Sequence, residues 1–288
     1  MESQAVDMTM AAIQFIEAHL NEKMDLDFVA NAVHYSKYHL HRIFSETVGL
    51  TIHDYVQRRQ LTEAAKLLVF SDKSIMEVAL IAGYKSQQAF TSVFKSMYKQ
   101  TPAQFRANKQ FYPLQLEFVL KRKVSALICH KSNIQFAQIE DIPDWMALVR
   151  LAIDGYPHLS EPVYIERLNQ YIAERSALIM RDGKTTIGAM AFSYDTGSID
   201  FLGVHPQYRD HGVTKALLDE LMDELLIGKE ISITTFRKHD QADTGYREEY
   251  RKLGFAESEL LIEYGYPTQR FVLSPNIAKE KNDERRSN

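Results

Sequence analysis

Gly83–Arg106 reads GYKSQQAFTSVFKSMYKQTPAQFR: a turn, then a helix, then a stop. Gly83 supplies the positive φ that ends a preceding helix. Ser86 is a good N-cap, because its hydroxyl accepts an orphan N–H of the first turn. Phe90, Val93, Phe94 and Met97 recur at three- and four-residue spacing and so share one helical face. The other face carries Gln87, Gln88, Thr91 and Lys95, long or hydroxylic groups that reach base edges or phosphates. Thr101-Pro102 restarts the chain after the helix.

The same layout occurs 50 residues upstream. Ser36 matches Ser86, Leu40 matches Phe90, Ile43 matches Val93 and Phe44 matches Phe94; Thr51 matches Thr101 and Tyr55 matches Phe105. Each copy follows a short amphipathic stretch with a small residue at its centre, Ala30 in one and Ala79 in the other. A short helix, a tight turn and a capped second helix make a helix-turn-helix. A repeat at fixed offset implies two similar units in one domain.

On these residues, the stretch from about Thr9 to Arg106 resembles the AraC/XylS family DNA-binding domain, two helix-turn-helix units joined by a long helix. Leu26, Ala30, Ser36, Leu40, Phe44, Gly49, Tyr55, Leu61, Ala64, Leu67-Leu68, Ile75, Val78-Ala79, Gly83-Tyr84, Phe90, Phe94, Thr101-Pro102 and Arg106 carry the resemblance. Gln60 stands where the family usually has Arg, and Lys99 where it usually has Gly before x-Thr-Pro. The resemblance implies double-stranded DNA as partner. The candidate contact residues are Ser36, Lys37, His39, His41 and Arg42 in the first unit, and Lys85, Gln87, Gln88, Thr91, Lys95 and Arg106 in the second. His39 and His41 lie two apart on a helix and face different directions, so no metal pair is expected. Residues 1–108 hold 11 basic and 11 acidic side chains, but Val78–Leu116 has no acid, while Lys85, Lys95, Lys99, Arg106 and Lys109 are present. That local basic face is expected to meet phosphate.

Around this core, Met8–His19 is expected as a helix, with Asp25 or Asp27 capping the next one. Asp54–Phe70 is the long connector, its buried stripe Val56, Leu61, Ala64, Leu67 and Leu68. Ser71–Ser74 caps the second unit. Phe28, Phe44, Phe90 and Phe94 are expected in the core. From Lys109 to Asn133, the alternation of Leu114, Leu116, Phe118 and Leu120 suits a half-buried strand. Lys121-Arg122-Lys123 follows, then apolar Val124–Cys129. This is a connector with one or two strands that pack on either domain.

At 288 residues the length prior is about two domains. Apolar content of 45% and charged content of 25% fit a globular protein. The start MESQAVDMTM lacks signal-peptide character, no apolar run approaches a membrane span, and Cys129 is the single cysteine. A cytoplasmic protein with no membrane segment is expected. The net charge of −4 argues against indiscriminate nucleic-acid binding.

From Ile134 the pattern turns to mixed strands and helices. Ile134–Ile139 is expected as a strand. Asp141–Asp154 and Glu161–Glu174 are expected as helices, with Gly155-Tyr156-Pro157 turning between them. Ala177–Met180, Thr185–Tyr194 and Ser198–Val204 are expected as antiparallel strands. A helix Lys215–Ile227, a strand Ile231–Phe236 and a helix Gly245–Lys252 follow, and Leu260–Tyr266 and Gln269–Leu273 close the sheet. The tail from Asn276 is polar.

The turn from Val204 to Thr214, VHPQYRDHGVT, contains a glycine and opens a helix, which offers free N–H groups and the positive dipole end to a pyrophosphate. An ordinary glycine turn is the alternative. Arg209, Gly212 and Val204-His205-Pro206, with Tyr250-Arg251-Lys252-Leu253-Gly254-Phe255 and the opening Ile139-Glu140-Asp141-Ile142-Pro143, resemble the GNAT acetyltransferase superfamily over about Ile134–Leu273. Thr214 stands where Gly or Ala is usual, which would set a β-branched side chain beside the phosphates, and His211 replaces a small or basic residue. The resemblance implies acetyl-CoA, or another acyl-CoA, held by Leu202, Val204, Arg209, Asp210, His211, Gly212, Val213, Thr214 and Lys215. It also implies Tyr250 as acid and a strand carboxylate as base, here Asp200, which at period 2 shares a face with Leu202 and Val204. A solvated strand carboxylate and a helix-packing phenol are the alternatives. His158 is a weaker candidate for substrate contact.

The expected architecture is multidomain. An all-α double helix-turn-helix domain (1–108) and a connector (109–133) precede an α+β GNAT-like domain with a mixed, mostly antiparallel sheet (134–275) and a polar tail (276–288). Two functions remain open. One is a sequence-specific DNA-binding transcription regulator whose second domain binds acetyl-CoA and acetylates an amine or senses a small-molecule effector. The other is primarily an N-acetyltransferase with an attached regulatory domain. The chain is expected as a monomer or homodimer.

Overall fold

The structure is a computed structural model that describes residues 2–22, 24–121, 133–152, 160–263 and 265–275. They form two compact units, the first mainly residues 2–121 and the second mainly residues 133–275. No helix among the described residues is long and apolar enough to cross a membrane.

The first unit contains α1 (Glu2–Ala18), α2 (Leu26–Ala32), α3 (Lys37–Val48), α4 (Ile52–Phe70), α5 (Ile75–Ile81), α6 (Gln87–Tyr98) and α7 (Pro102–Asn108). Most of these boundaries are chemical. The Asp25 side chain accepts the N–H of Phe28 at 2.9 Å and starts α2. Ser74 and Glu77 cap α5 reciprocally, and Thr101 and Gln104 do the same for α7 with Pro102 in its first turn. Ser86 accepts from the Ala89 N–H at 3.2 Å and starts α6.

Two apolar cores result. Ile16, Val29, Leu40, Phe44, Ile52 and Tyr55 belong to one; Leu61, Leu68, Val78, Phe90, Phe94 and Phe105 belong to the other. Helix α4 feeds both, its first half the first core and its second half the other. Phe28 departs from the expected core set. The buried positions of seven-residue α2 are Val29 and Ala30. Phe28 is left at the rim against Phe15 (ring centroids 5.5 Å apart) and is 41% exposed.

The connector expected to hold a strand is different here. Residues 110–121 run without strand pairing. Tyr112 and Leu114 enter the second core, Phe118 and Leu120 the first, so the segment runs back along α4. Buried polar groups of α4 receive its backbone. Thr62 Oγ1 accepts the N–H groups of Leu114 and Gln115 at 3.0 and 3.1 Å. Arg59 donates to the Gln115 carbonyl at 3.1 Å, and Phe118 N–H donates to the Tyr55 hydroxyl at 3.4 Å. The alternation was real, but its partner is a helix. The second expected strand, Val124–Cys129, lies outside the described residues, as do Gly155-Tyr156-Pro157, His158 and the tail 276–288.

The second unit contains β1 (Ile134–Phe136), α8 (Ile142–Ala152), α9 (Glu161–Ala173), β2 (Ala177–Asp182), β3 (Thr185–Phe192), β4 (Ser198–Val204), α10 (Val213–Glu220), β5 (Ile231–Phe236), α11 (Tyr246–Lys252), β6 (Ala256–Glu263) and β7 (Tyr266–Leu273). The sheet order is β1-β2-β3-β4-β5-β7-β6, antiparallel except for parallel β4 and β5. The inner strands β2 and β3 are almost wholly buried, as near-continuous apolar runs require. The expected helix Lys215–Ile227 breaks instead into α10 and a π-turn, Leu221–Leu225. The Leu226 N–H bonds the Leu221 carbonyl at 2.7 Å, and that extra residue per turn keeps both leucines buried.

Gln60 and Lys99, the two departures from the family pattern, have separate explanations. The Gln60 amide donates to the carbonyls of Leu20 and Glu22, both at 3.0 Å, and so ties α4 to the end of α1. Lys99 ends α6 in the left-handed region at φ 58, the conformation that Gly49 adopts at φ 70 in the first unit. Lys99 is therefore strained, with its ammonium bonded to the Ser96 carbonyl at 2.6 Å as partial compensation. Lys99→Gly is expected to raise the unfolding free energy by about 0.5–1 kcal/mol, the left-handed penalty less glycine's entropic cost. Urea denaturation checks the sign, and an unchanged or lower midpoint contradicts the strain.

Candidate functional site

Two regions carry the candidate residues, one in each unit. In the first, α3 and α6 each turn a polar face outward. On α3, His39, His41 and Arg42 are exposed, and so is Tyr38, at 80%. Tyr38 is not among the contacts expected from the sequence; its place in the first turn of α3, beside Lys37 and His39, is the available signal. Ser36 precedes α3 with no side-chain capping bond. Lys37 pairs with Asp27 at 3.2 Å, and hydrogen bonding and charge from that carboxylate push its ammonium pKa up. Arg42 pairs with Glu46 one turn on, at 3.3 Å. On α6, Gln87, Gln88 and Lys95 are exposed and Thr91 is half-buried; Lys85 is exposed just ahead of the helix. Exposed ion pairs of this kind hold weakly and exchange readily for phosphate.

Arg106 is placed differently from the other expected contacts. Its guanidinium donates to the Leu68 carbonyl at 3.2 Å and the Lys73 carbonyl at 2.5 Å, across the junction of α4 and α5. Its visible task is to close the end of α4.

In the second unit, β4 and β5 pair at only two positions, Ser198 with Ser232 and Ile199 with Ile233. Beyond them the strands part, and the C-terminal ends of two parallel strands border a wedge. Ligands in α/β sheets bind at such strand ends. β4 ends at Val204; the His205 N–H still bonds the Ile187 carbonyl at 2.8 Å. A 3-10 segment, Pro206–His211, leads to Gly212, which stands at φ 74 as the N-cap of α10 with no side-chain cap.

Gly212 offers no side chain to cap the first turn of α10, whose leading N–H groups have no intrahelical acceptor. A pyrophosphate fits such a turn by charge and donor type. Asp210 and Gly212 are exposed, while Arg209, His211, Leu202 and Lys215 are half-buried, with Lys215 paired to Asp219. Val204, Val213 and Thr214 are buried.

The position of α10 depends on Gly188 of β3. A Cβ on Gly188 would lie 2.5 Å from Val213 Cγ1 and 3.1 Å from Leu217 Cδ1, both in fully buried residues. The missing side chain lets the start of α10 press onto the sheet.

Asp200 is exposed on β4. The Tyr171 hydroxyl donates to its Oδ2 at 2.6 Å and the Ser198 hydroxyl to its Oδ1 at 2.8 Å. The expected alternation with Leu202 and Val204 is interrupted. β3 pairs Ala191 with Phe201 and Phe192 with Ile199, so Asp200 is the extra residue of a bulge. Tyr250 is 4% exposed on α11, in a ring cluster with Phe255, Phe271 and Tyr246. α11, which carries Tyr250, packs on β5, and Asp200 belongs to the neighbouring strand β4. Among the described residues no three His, Cys, Asp or Glu side chains gather as a metal-holding group.

Gly188→Ala is expected to destabilise the second unit by about 1–3 kcal/mol and to displace the start of α10. Thermal unfolding measures the cost; a silent Gly188→Ala would show that α10 is not pressed onto β3.

Comparisons with known proteins cover both regions. The helix-turn-helix domain family matches residues 29–108, and the acetyltransferase (GNAT) domain family matches residues 154–264. The chain is 45% identical over 98 residues to the probable transcription factor PqrA of Proteus vulgaris, covering 33% of this chain and 80% of that protein. It is 34% identical over 122 residues to the HTH-type transcriptional regulator YbfP of Bacillus subtilis, covering 42% of this chain but only 41% of that protein. A crystal structure of a GNAT-family acetyltransferase from Bacillus cereus is similar at 15% identity and a TM-score of 0.40, over 49% of this chain and 96% of that one.

Proposed function

Because the chain belongs to the AraC-type helix-turn-helix regulators and carries a GNAT acetyltransferase domain, we propose that it binds DNA in a sequence-specific way and uses an acyl-CoA in its second unit to acetylate an amine. One observation carries the first part. The same helix pair is built twice, and each copy turns the polar face of its second helix, α3 or α6, outward. Two such helices suit successive major grooves about 34 Å apart on one DNA face. His39, Arg42, Gln87, Gln88 and Thr91 are the candidates to face the bases in this arrangement, and Lys85 and Lys95 to face phosphate; His41, two residues from His39, points elsewhere on α3.

The parting of β4 and β5 beside the uncapped start of α10 supports the second part. Bound there, an acyl-CoA supplies an activated thioester. The N–H groups of the first turn of α10 hold its pyrophosphate. Asp200 accepts the proton that the amine loses as its nitrogen bonds the acyl carbon. The Tyr250 hydroxyl would supply the proton that a departing thiolate needs.

Both parts are testable on the full chain. Lys95→Ala is expected to weaken binding to all DNA sequences alike and to lower the magnitude of the salt slope by about one, whereas Gln87→Ala changes base preference. An unchanged slope in both Lys85→Ala and Lys95→Ala removes the phosphate role of this face. Gly212→Glu places a side chain and a negative charge against the first turn of α10. Calorimetry is expected to show loss of acetyl-CoA binding with DNA affinity retained. Wild type that gives no heat with acetyl-CoA refutes the cofactor reading.

A further inference from the structure

We propose that Tyr171 is a positioning residue, which holds the Asp200 carboxylate in place to receive the proton of an incoming amine; the proposal rests on the acetyl-transfer reading of the second unit. Asp200 has no strand partner on either side. The β3 register passes over it, and the β5 register ends one residue earlier, at Ile199. An exposed carboxylate on a bulged residue has no fixed direction unless something else supplies it.

Two hydroxyls do. Tyr171, in the last turn of α9, donates to Oδ2 at 2.6 Å. Ser198 donates to Oδ1 at 2.8 Å, with the Thr196 hydroxyl 2.8 Å behind it. Each carboxylate oxygen accepts two hydrogen bonds, so both keep an acceptor site for an amine N–H. The hydroxyl of Tyr171 thus reaches from a helix to the strand residue that the sheet leaves unsupported.

The phenol is suited to remain a donor. Burial, then the hydrogen bond and the charge of Asp200, push its pKa well above the ordinary tyrosine value. Arg167, whose guanidinium lies 6.0 Å over the Tyr171 ring, acts in the opposite sense, and Tyr164 in the same sense as Asp200. A donor that does not ionise near neutral pH fixes the direction of its carboxylate partner.

Two measurements test this on the full chain. The first needs no turnover. Protein labelled with carbon-13 at the tyrosine ring carbon bearing oxygen is titrated by NMR, the Tyr171 signal being the one lost in Tyr171→Phe. Asp200→Asn is expected to let Tyr171 ionise at lower pH than in wild type, because the carboxylate that opposes ionisation is gone. An unchanged Tyr171 titration overturns the proposal.

The second is kinetic, with acetyl-CoA and a panel of primary amines. Tyr171→Phe keeps the ring beneath Arg167 and removes only the hydroxyl. It is expected to lower kcat about tenfold, with the KM for acetyl-CoA and the thermal midpoint unchanged. A kcat equal to wild type overturns the positioning role and leaves the acetyl-transfer reading intact. Full kcat in Asp200→Asn instead refutes Asp200 as the base, and the proposal falls with it.

Discussion

The first unit depends on one buried guanidinium. Arg59, in the middle of α4, makes a two-point pair with Glu17 of α1, at 2.8 and 2.7 Å, and donates to the Gln115 carbonyl of the returning segment. Tyr55, one turn earlier, donates to the same Glu17 at 2.8 Å. Burial and the neighbouring carboxylate push that phenol pKa up, so it stays a donor. The side chains of Arg59 and Glu17 are 8% and 14% exposed. At that burial, removing Arg59 costs about 3–5 kcal/mol, because the Glu17 carboxylate is left buried without its charge partner; Arg59 itself also reaches Glu63 at 3.3 Å. The pair joins α1 to α4, and the same guanidinium takes up the returning segment through Gln115. A single charge therefore links three stretches distant in sequence, and both helix-turn-helix copies sit on the α4 that carries it.

The second unit is organised by where pairing stops. The parallel contact of β4 and β5 lasts two residues, and the wedge beyond it is bordered by the only parallel pair in the described sheet. α10 starts at this end and lies close to β3 because Gly188 has no side chain. Asp200 is bulged at the point where both neighbours release it. The start of α10 and the exposed carboxylate thus lie where the sheet opens on one side of a strand and skips a residue on the other.

What was legible in the sequence was local. Glycine, serine and threonine at element ends placed most of the helix starts and stops. Ser198–Val204 and Ile231–Phe236 match their expected strands residue for residue. The repeat gave α3 and α6 their outward faces. What was not legible needed a partner far along the chain. Arg59 is a lone cation in the sequence of α4 until Glu17 and Gln115 are in place, yet it is buried. Alternation in 114–120 shows which side chains are inward but not whether a strand or a helix receives them. The bulge at Asp200 follows from the β3 register, which no periodicity within β4 reports. Phe28 looks like a core residue by type and is excluded by the shortness of its helix.

The returning segment also bears on how such a chain can be recombined. By helix count the first unit ends at Asn108, and a module boundary drawn from the repeat falls there. Yet Tyr112, Leu114, Phe118 and Leu120 complete its two cores, and Thr62 and Arg59 spend buried polar groups on residues 114 and 115. A junction at 108 would give the helices a foreign sequence in place of that wall and leave a buried hydroxyl and guanidinium short of partners. A junction after Lys121 would transfer the helices with their own lid. For exchange between proteins, the natural unit is seven helices and the dozen residues that retrace α4.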